Sequence, residues 1–275
     1  MGWCAFRQMK LKKGEGVDPA AAMSSAGYQA LKLLELITMA PGNISRSRPA
    51  ASHRSCQKLV VCPFDKYNCF LAADSLSVSL PHLEYLHIYF CRSSASLSIG
   101  HLTSLKSLSI CGIQDLCFLE GLSSLQLLEV SLRDVPKLTA ECISHFRVQR
   151  AFLISSSVLL RHMLSSEGFT VPADLTLECW KEPSFSFEES AKFSSVEELS
   201  LVGCEMKFLP RNLKCLSSLK RLRIGCCANI YPLPDLPCSL QHIEIYGCEL
   251  LKESCRAPDG ESWPKIAHIR WKHIY

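Results

Sequence analysis

Between Val196 and Cys248 one arrangement of side chains occurs three times. An apolar residue is followed by two variable positions, a second apolar residue, one variable position, a third apolar residue, two more variable positions and a cysteine. Val196, Leu199, Leu201 and Cys204 make the first copy; Leu219, Leu222, Ile224 and Cys227 the second; Leu240, Ile243, Ile245 and Cys248 the third. The copies start 23 and then 21 residues apart. Alternation over so few residues puts every second side chain on one face of a strand. One such strand has nothing to bury that face against, so the copies must stack on one another.

The interval matches the leucine-rich repeat, whose unit of about 20 to 29 residues is one short strand and a return segment. Extended outward, the frame gives nine starts, at Leu83, Leu105, Leu125, Val148, Pro172, Val196, Leu219, Leu240 and Ile266. It places Leu86, Ile88 and Cys91 in the first unit, Leu108, Ile110 and Ile113 in the second, and Leu128 and Val130, with Arg133 in the cysteine position, in the third. Ala151 with Leu153, and Leu175 with Leu177, follow; Ile269, Trp271 and Ile274 close the chain. A tenth unit is open around Leu59 and Val61, where the register is ambiguous. The expected fold is therefore an α/β leucine-rich-repeat solenoid of nine to ten units over 56–275, with a cap at 255–275. A curved parallel β-sheet would form its concave face, on the order of 40 Å across at about 4.8 Å per strand. Prolines in FLPRNLKCLSSL and YPLPDLPCSL favour an irregular, 3₁₀ or short-helical convex side.

The variable residues of successive strands form the outward face. Between the last two apolar positions the frame sets His87, Ser109, Glu129, Phe152, Thr176, Ser200, Arg223, Glu244 and Arg270. One step earlier stand Tyr85, Ser107, Leu127, Arg150, Asp174, Glu198, Arg221, His242 and His268. Arg223, Glu244 and Arg270 should form a ladder of alternating sign, with Glu198 beside Arg221. Tyr85, Tyr89 and Phe90 make an aromatic patch at the other end. Exposed aromatics and arginines are the usual anchors of protein interfaces. The candidate partner-binding residues are Tyr85, His87, Tyr89, Glu198, Arg221, Arg223, His242, Glu244, His268 and Arg270. Mutual neutralisation across strands, at about 0.2–1 kcal/mol per pair, is the equally weighted alternative.

Sixteen cysteines occur without one C-x-x-C pair, and no Cys/His spacing reads as a metal site. Four of them share one template position, where a thiol serves as a small hydrophobe with a weak donor for a turn. Cys226, next to Cys227, belongs on the opposite face and should be the more exposed. Reduced thiols point to a cytosolic or nuclear setting.

The chain also lacks the phosphate-cradling G-x-x-x-x-G-K-[ST] loop, H-E-x-x-H and G-x-S-x-G, so no enzyme, metal, cofactor or small-molecule substrate is expected. Residues 1–55 carry eight Lys or Arg against three acids, whereas the remainder carries 22 against 23. No overall attraction for nucleic acid follows. That first segment is small, polar and proline-bearing, which reads as poorly structured chain with one short helix at 28–40, too short to span a membrane. It lacks the apolar core of a secretory signal.

LPHLEYLHIYFC, LTSLKSLSICGI and the stretch from Leu216 to Trp271 resemble the carboxy-terminal leucine-rich-repeat region of plant intracellular nucleotide-binding disease-resistance proteins, most closely those of grasses. The ending carries the likeness: Ile245, Gly247, Cys248, Leu251, Lys252, Glu253 and Cys255, then Asp259, Gly260 and Glu261, then WPKIAHI from Trp263 to Ile269. The resemblance covers about 56–275. It implies an array that senses pathogen effectors, directly or through a guarded host protein, and restrains a neighbouring nucleotide-binding switch. The chain departs from the family in lacking the phosphate loop, so nucleotide binding is not carried over and a truncated member is expected. A general leucine-rich-repeat adaptor or scaffold is the alternative.

Overall fold

The computed structural model describes residues 56–62, 70–73, 76, 80–143, 147–167, 169–182 and 190–275. The amino-terminal segment 1–55, with its expected helix at 28–40, lies outside the described residues. In chain order the strands are β1 (Lys58–Val61), β2 (Phe70–Leu71), β3 (Tyr85–Tyr89), β4 (Arg92–Ser93), β5 (Ser96–Ser98), β6 (Ser107–Cys111) and β7 (Phe118–Glu120). They continue with β8 (Leu127–Arg133), β9 (Val148–Ile154), β10 (Asp174–Glu178), β11 (Glu198–Val202), β12 (Arg221–Gly225), β13 (His242–Tyr246) and β14 (Trp271–Ile274). Ten of them form one sheet in the order β1-β3-β6-β8-β9-β10-β11-β12-β13-β14. Every neighbouring pair is parallel. Since β1 and β14 each pair on one side only, the sheet stays open and is not a barrel.

Two rows of aliphatic side chains cross this sheet in register and explain why it forms. Leu59, Leu86, Leu108, Val130, Phe152, Leu175, Leu199, Leu222 and Ile243 stand side by side, none more than 3% exposed. Two residues on, Val61, Ile88, Ile110, Leu132, Ile154, Leu177, Leu201, Ile224 and Ile245 are at most 1% exposed. A one-residue slip of any strand would turn both of its core side chains to the other face, so the rows fix the register. The ambiguous stretch at Leu59 and Val61 is a full member of both rows.

Seven strands of the sheet end in the same way. Two residues past the second row, Phe90, Gly112, Asp134, Cys179, Gly203, Cys226 and Gly247 all have φ between 46° and 68°. This left-handed residue turns the chain off the sheet, at a cost of roughly 1–2 kcal/mol wherever it is not glycine. The next residue points inward: Cys91, Ile113, Val135, Trp180, Cys204, Cys227 and Cys248 are no more than 3% exposed. The thiols there also serve the backbone. Cys204 N–H donates to Cys227 Sγ at 3.3 Å and Cys227 N–H to Cys248 Sγ at 3.2 Å. The sulfurs in turn donate back to Leu177 O (3.5 Å), Leu201 O (3.6 Å) and Ile224 O (3.6 Å). One residue type thus fills a core position and satisfies turn groups that a leucine would leave unpaired. Cys226 is exposed, and the described cysteines are free thiols.

Helices are few and short: α1 (Ala140–Ile143), α2 (Ser157–Ser165), α3 (Glu249–Ser254) and α4 (Trp263–Ile266). Single 3₁₀ turns occupy Leu122–Ser124, Ser190–Phe193 and Arg211–Cys215. In the first units the return segments also pair, β2 with β4 and β5 with β7. The unit after β9 breaks the turn pattern, because Ser156 (φ −111°) caps α2 by accepting a bond from Leu159 N–H.

Three units differ from the sequence frame. In the third, Val130 and Leu132 face the core while Leu128 is 38% exposed, and Arg133 lies on the outward face. A bulge between Leu127 and Glu129 buries Leu127 and moves the strand two residues along. In the fourth, Phe152 and Ile154 are buried and Ala151 and Leu153 face outward, the reverse of the expected alternation. At the carboxyl end, Ile266 and Ile269 are buried by α4 and the turn after it, so the last strand starts only at Trp271. There Lys272 replaces an aliphatic core residue opposite Ile243, and its ammonium caps Ala267 O and Ile269 O.

Candidate functional site

The outward face of the sheet carries three rows. The first runs Tyr85, Ser107, Glu129, Ala151, Asp174, Glu198, Arg221, His242, Trp271. The second runs His87, Ser109, Ser131, Leu153, Thr176, Ser200, Arg223, Glu244, His273. Tyr89, Arg133, Glu178, Gly225 and Tyr246 belong to the third. Bulky groups thus stand on the outer strands, and small or hydroxyl-bearing residues floor the middle.

Of the sequence-predicted residues, Tyr85, His87 and Tyr89 meet on β3, and Glu198, Arg221, Arg223, His242 and Glu244 meet on β11 to β13. His268 and Arg270 do not join them. Both precede β14 and are exposed, and the Arg270 guanidinium lies over the Trp271 ring at 5.1 Å. The place opposite Glu244 expected for Arg270 is held by His273. The three-residue offset comes from α4, in which Pro264 at the amino terminus favours the helix that absorbs Ile266.

The expected charge ladder between β11 and β13 exists and ends on a tyrosine. Glu198, whose side chain is only 14% exposed, receives Arg221 Nε at 2.7 Å and an Arg223 terminal nitrogen at 3.0 Å. Arg223 Nε reaches Glu244 at 2.9 Å, and Tyr275 hydroxyl donates to the other Glu244 oxygen at 2.9 Å. Beside it His242 stacks on Trp271 (5.9 Å, 16°) and Tyr246 on Tyr275 (6.1 Å, 18°). The Tyr246 ring lies over Gly225, where a Cβ would come within 2.0 Å of it. A hollow of about 370 Å³ opens among Arg221, Arg223, His242, Glu244, His273 and Tyr275. These guanidiniums and stacked rings present planar, rigid groups of the kind that anchor interfaces.

At the other end the Tyr89 hydroxyl and His87 Nδ1 share a 2.9 Å hydrogen bond. Burial, then the Lys58 charge, pulls the His87 imidazole below its ordinary value, against a weaker opposing effect of Glu129. It is therefore neutral at physiological pH. Phe90 does not lie with Tyr85 and Tyr89 on the strand: it occupies the left-handed turn, 63% exposed, with its ring over Gly112. Arg133 and Glu178, which the sequence frame did not bring together, form a 2.5 Å ion pair across the end of β9, where Ser155 is small enough to be crossed.

The centre is acidic. Asp174 is held above its ordinary carboxyl value, first by burial and then by Glu198; Arg150 and Arg221 oppose this, and Glu197 adds weakly to it. A carboxyl raised on folding favours the folded chain while protonated. That contribution is complete below the unfolded value of 3.8 and is lost as pH rises through the folded one. Asp174→Asn is therefore expected to raise the thermal midpoint at pH 7, with the gain fading to nothing near pH 3. Equal midpoints at pH 7 in paired thermal scans would refute this.

Among the described residues, no group of three or more His, Cys, Asp or Glu could hold a metal ion, and no helix is long and apolar enough to cross a membrane. Comparison with known proteins finds no family model and no curated sequence that matches the chain.

Proposed function

We propose that the parallel sheet is the concave wall of a leucine-rich-repeat solenoid and that the chain is a protein-recognition module, without catalytic activity, of the plant intracellular immune-receptor type. The observation that carries this reading is the outward face itself. Nine consecutive strands hold two full rows of outward side chains in register, with aromatic groups at one end, aromatic and guanidinium groups at the other, and mainly small, hydroxyl-bearing or acidic residues between. Stacked units of 21 to 29 residues make such a surface by construction, and repeat arrays use it to bind extended partners. The carboxy-terminal motif from Ile245 to Ile269 supports the more specific assignment to effector sensing or restraint of a nucleotide-binding switch. On this reading the module works in the cytosol or nucleus.

The test is direct binding. The purified chain is titrated against the nucleotide-binding segment of a grass immune receptor and against a panel of purified pathogen effectors, alone and as the Arg221→Ala/Arg223→Ala/His242→Ala variant. Binding of one of these proteins, weakened about tenfold or more in the variant, is expected. Absence of binding to all of them, or binding indifferent to the variant, would overturn the proposal. A general adaptor would instead bind a host protein outside this set through the same face.

A further inference from the structure

Between the two bulky ends lies a trough of about 340 Å³, bordered by Glu129, Ser131, Leu153, Asp174, Thr176 and Arg133, whose guanidinium is paired with Glu178. The acids of the outward face elsewhere are neutralised: Glu178 by Arg133, Glu198 by Arg221 and Arg223, and Glu244 by Arg223. Glu129 and Asp174 have no ion pair among the described residues. Both stand in register with Ala151, one on each side of it. Two strand spacings, about 9–10 Å, therefore separate them, with only a methyl group between. A cation over Ala151 would reach both carboxylates.

The floor points to a ligand independently of the charges. Ser107 and Ser109 are each only 9% exposed, and both line the trough. The Ser131 Oγ, which also lines the trough, is buried and has no hydrogen-bond partner. Hydroxyls placed so deep normally have one. Next to Ala151 on the same strand, Leu153 supplies an outward apolar patch in this otherwise polar floor. That combination fits a long amphipathic cation, whose methylene stem rests on apolar surface while its charged head is paired.

We propose that this trough seats a lysine or arginine side chain of an extended segment of a partner protein, its stem on Leu153 and its charge between Glu129 and Asp174. The inference rests on the protein-recognition reading and specifies what that partner presents. A polypeptide, unlike a free polyamine, also uses the aromatic wall of Tyr85, His87 and Tyr89 at the trough's edge. The raised Asp174 carboxyl, held up first by burial and then by Glu198, agrees with it, since an incoming cation would favour its charged form.

The probe is a synthetic library of dodecapeptides with blocked termini, panned on the full chain and on its Glu129→Gln/Asp174→Asn variant, with thermal midpoints confirming that both are folded. The wild type is expected to select lysine or arginine at one position. The selected peptide should bind the variant tenfold or more weakly. Peptides that bind both proteins equally but are lost from Tyr85→Ala/Arg221→Ala would overturn this inference and leave the recognition reading standing. Failure of any peptide to bind any of the proteins would overturn the trough and count against that reading as well. Spermidine binding as tightly as the selected peptide, through the same two acids, would assign the trough to a small cation and overturn the protein partner.

Discussion

Ile224→Asp is expected to abolish folding of the repeat region, while the neighbouring Arg223→Ala leaves its stability within about 1 kcal/mol. Ile224 is fully buried and lies in register between Leu201 and Ile245, with aliphatic neighbours on both sides. A carboxylate there has no counter-ion and no water, a penalty of several kcal/mol. Total stability of a domain is typically about 5–15 kcal/mol. Ile224→Ala keeps the fold measurable and should lose about 2–5 kcal/mol through the transfer and cavity terms. Arg223 is half exposed, and its two partners retain other contacts, Glu198 with Arg221 and Glu244 with Tyr275. Exposed ion pairs contribute little. Denaturant titrations of the Ala variants at 221, 222, 223 and 224 should therefore alternate mild, severe, mild, severe. Similar losses at all four positions would contradict a half-buried strand.

The second large effect is expected at Gly260. A Cβ there would lie 2.3 Å from Ser254 O and 2.7 Å from Arg256 N, and backbone atoms cannot swing away as a side-chain tip can. Gly260 N–H donates to Arg256 O at 2.7 Å, and Ser262, fully buried, ties the same loop to α3 through Ser254 and to the preceding unit through Leu233 N–H. Gly260→Val must open this knot. A loss of about 1–3 kcal/mol is expected, together with faster amide exchange in β14, which the loop and α4 hold against β13. An unchanged denaturation midpoint would show that the carboxy-terminal turn does not brace the last strand.

Much of this architecture is written in the spacing of aliphatic residues. The units starting at Leu83, Leu105, Pro172, Val196, Leu219 and Leu240 have their strands where the periodicity sets them, because there a single alternation agrees with the spacing from the previous copy. The frame went astray where two alternations compete. In LLEVSLR both Leu128–Val130 and Val130–Leu132 are admissible, and only a bulge, which depends on the neighbouring strands, decides between them. In VQRAFLI every residue from Ala151 to Ile154 is apolar, so alternation carries no signal and the aromatic bulk of Phe152 claims the core. At the carboxyl end a helix with its own apolar spacing imitates a strand unit, while the true strand WKHI carries a lysine on its core side.

The candidate site follows the same division. Glu198, Arg221, Arg223, His242 and Glu244 were legible because they sit on strands whose register was legible. Arg270 and His268 were misplaced by the carboxy-terminal offset, which also hid Trp271, His273 and Tyr275. The Arg133–Glu178 pair was hidden by the two-residue shift of β8. The left-handed turns at Phe90, Asp134, Cys179 and Cys226 gave no compositional sign, since the usual glycine is missing there; alignment of these positions with Gly112, Gly203 and Gly247 was the available clue.

The account depends on stacked parallel strands with one shared aliphatic interior. Methyl-labelled protein, with only isoleucine and leucine methyl groups visible, tests this by nuclear Overhauser spectroscopy. Neighbouring strands are about 4.8 Å apart, so cross-peaks are expected from Leu201 to Ile224 and from Ile224 to Ile245, and again from Leu199 to Leu222 and from Leu222 to Ile243. Methyl groups of Leu201, Ile224 and Ile245 that show no contact with one another, or that contact solvent instead, would contradict it.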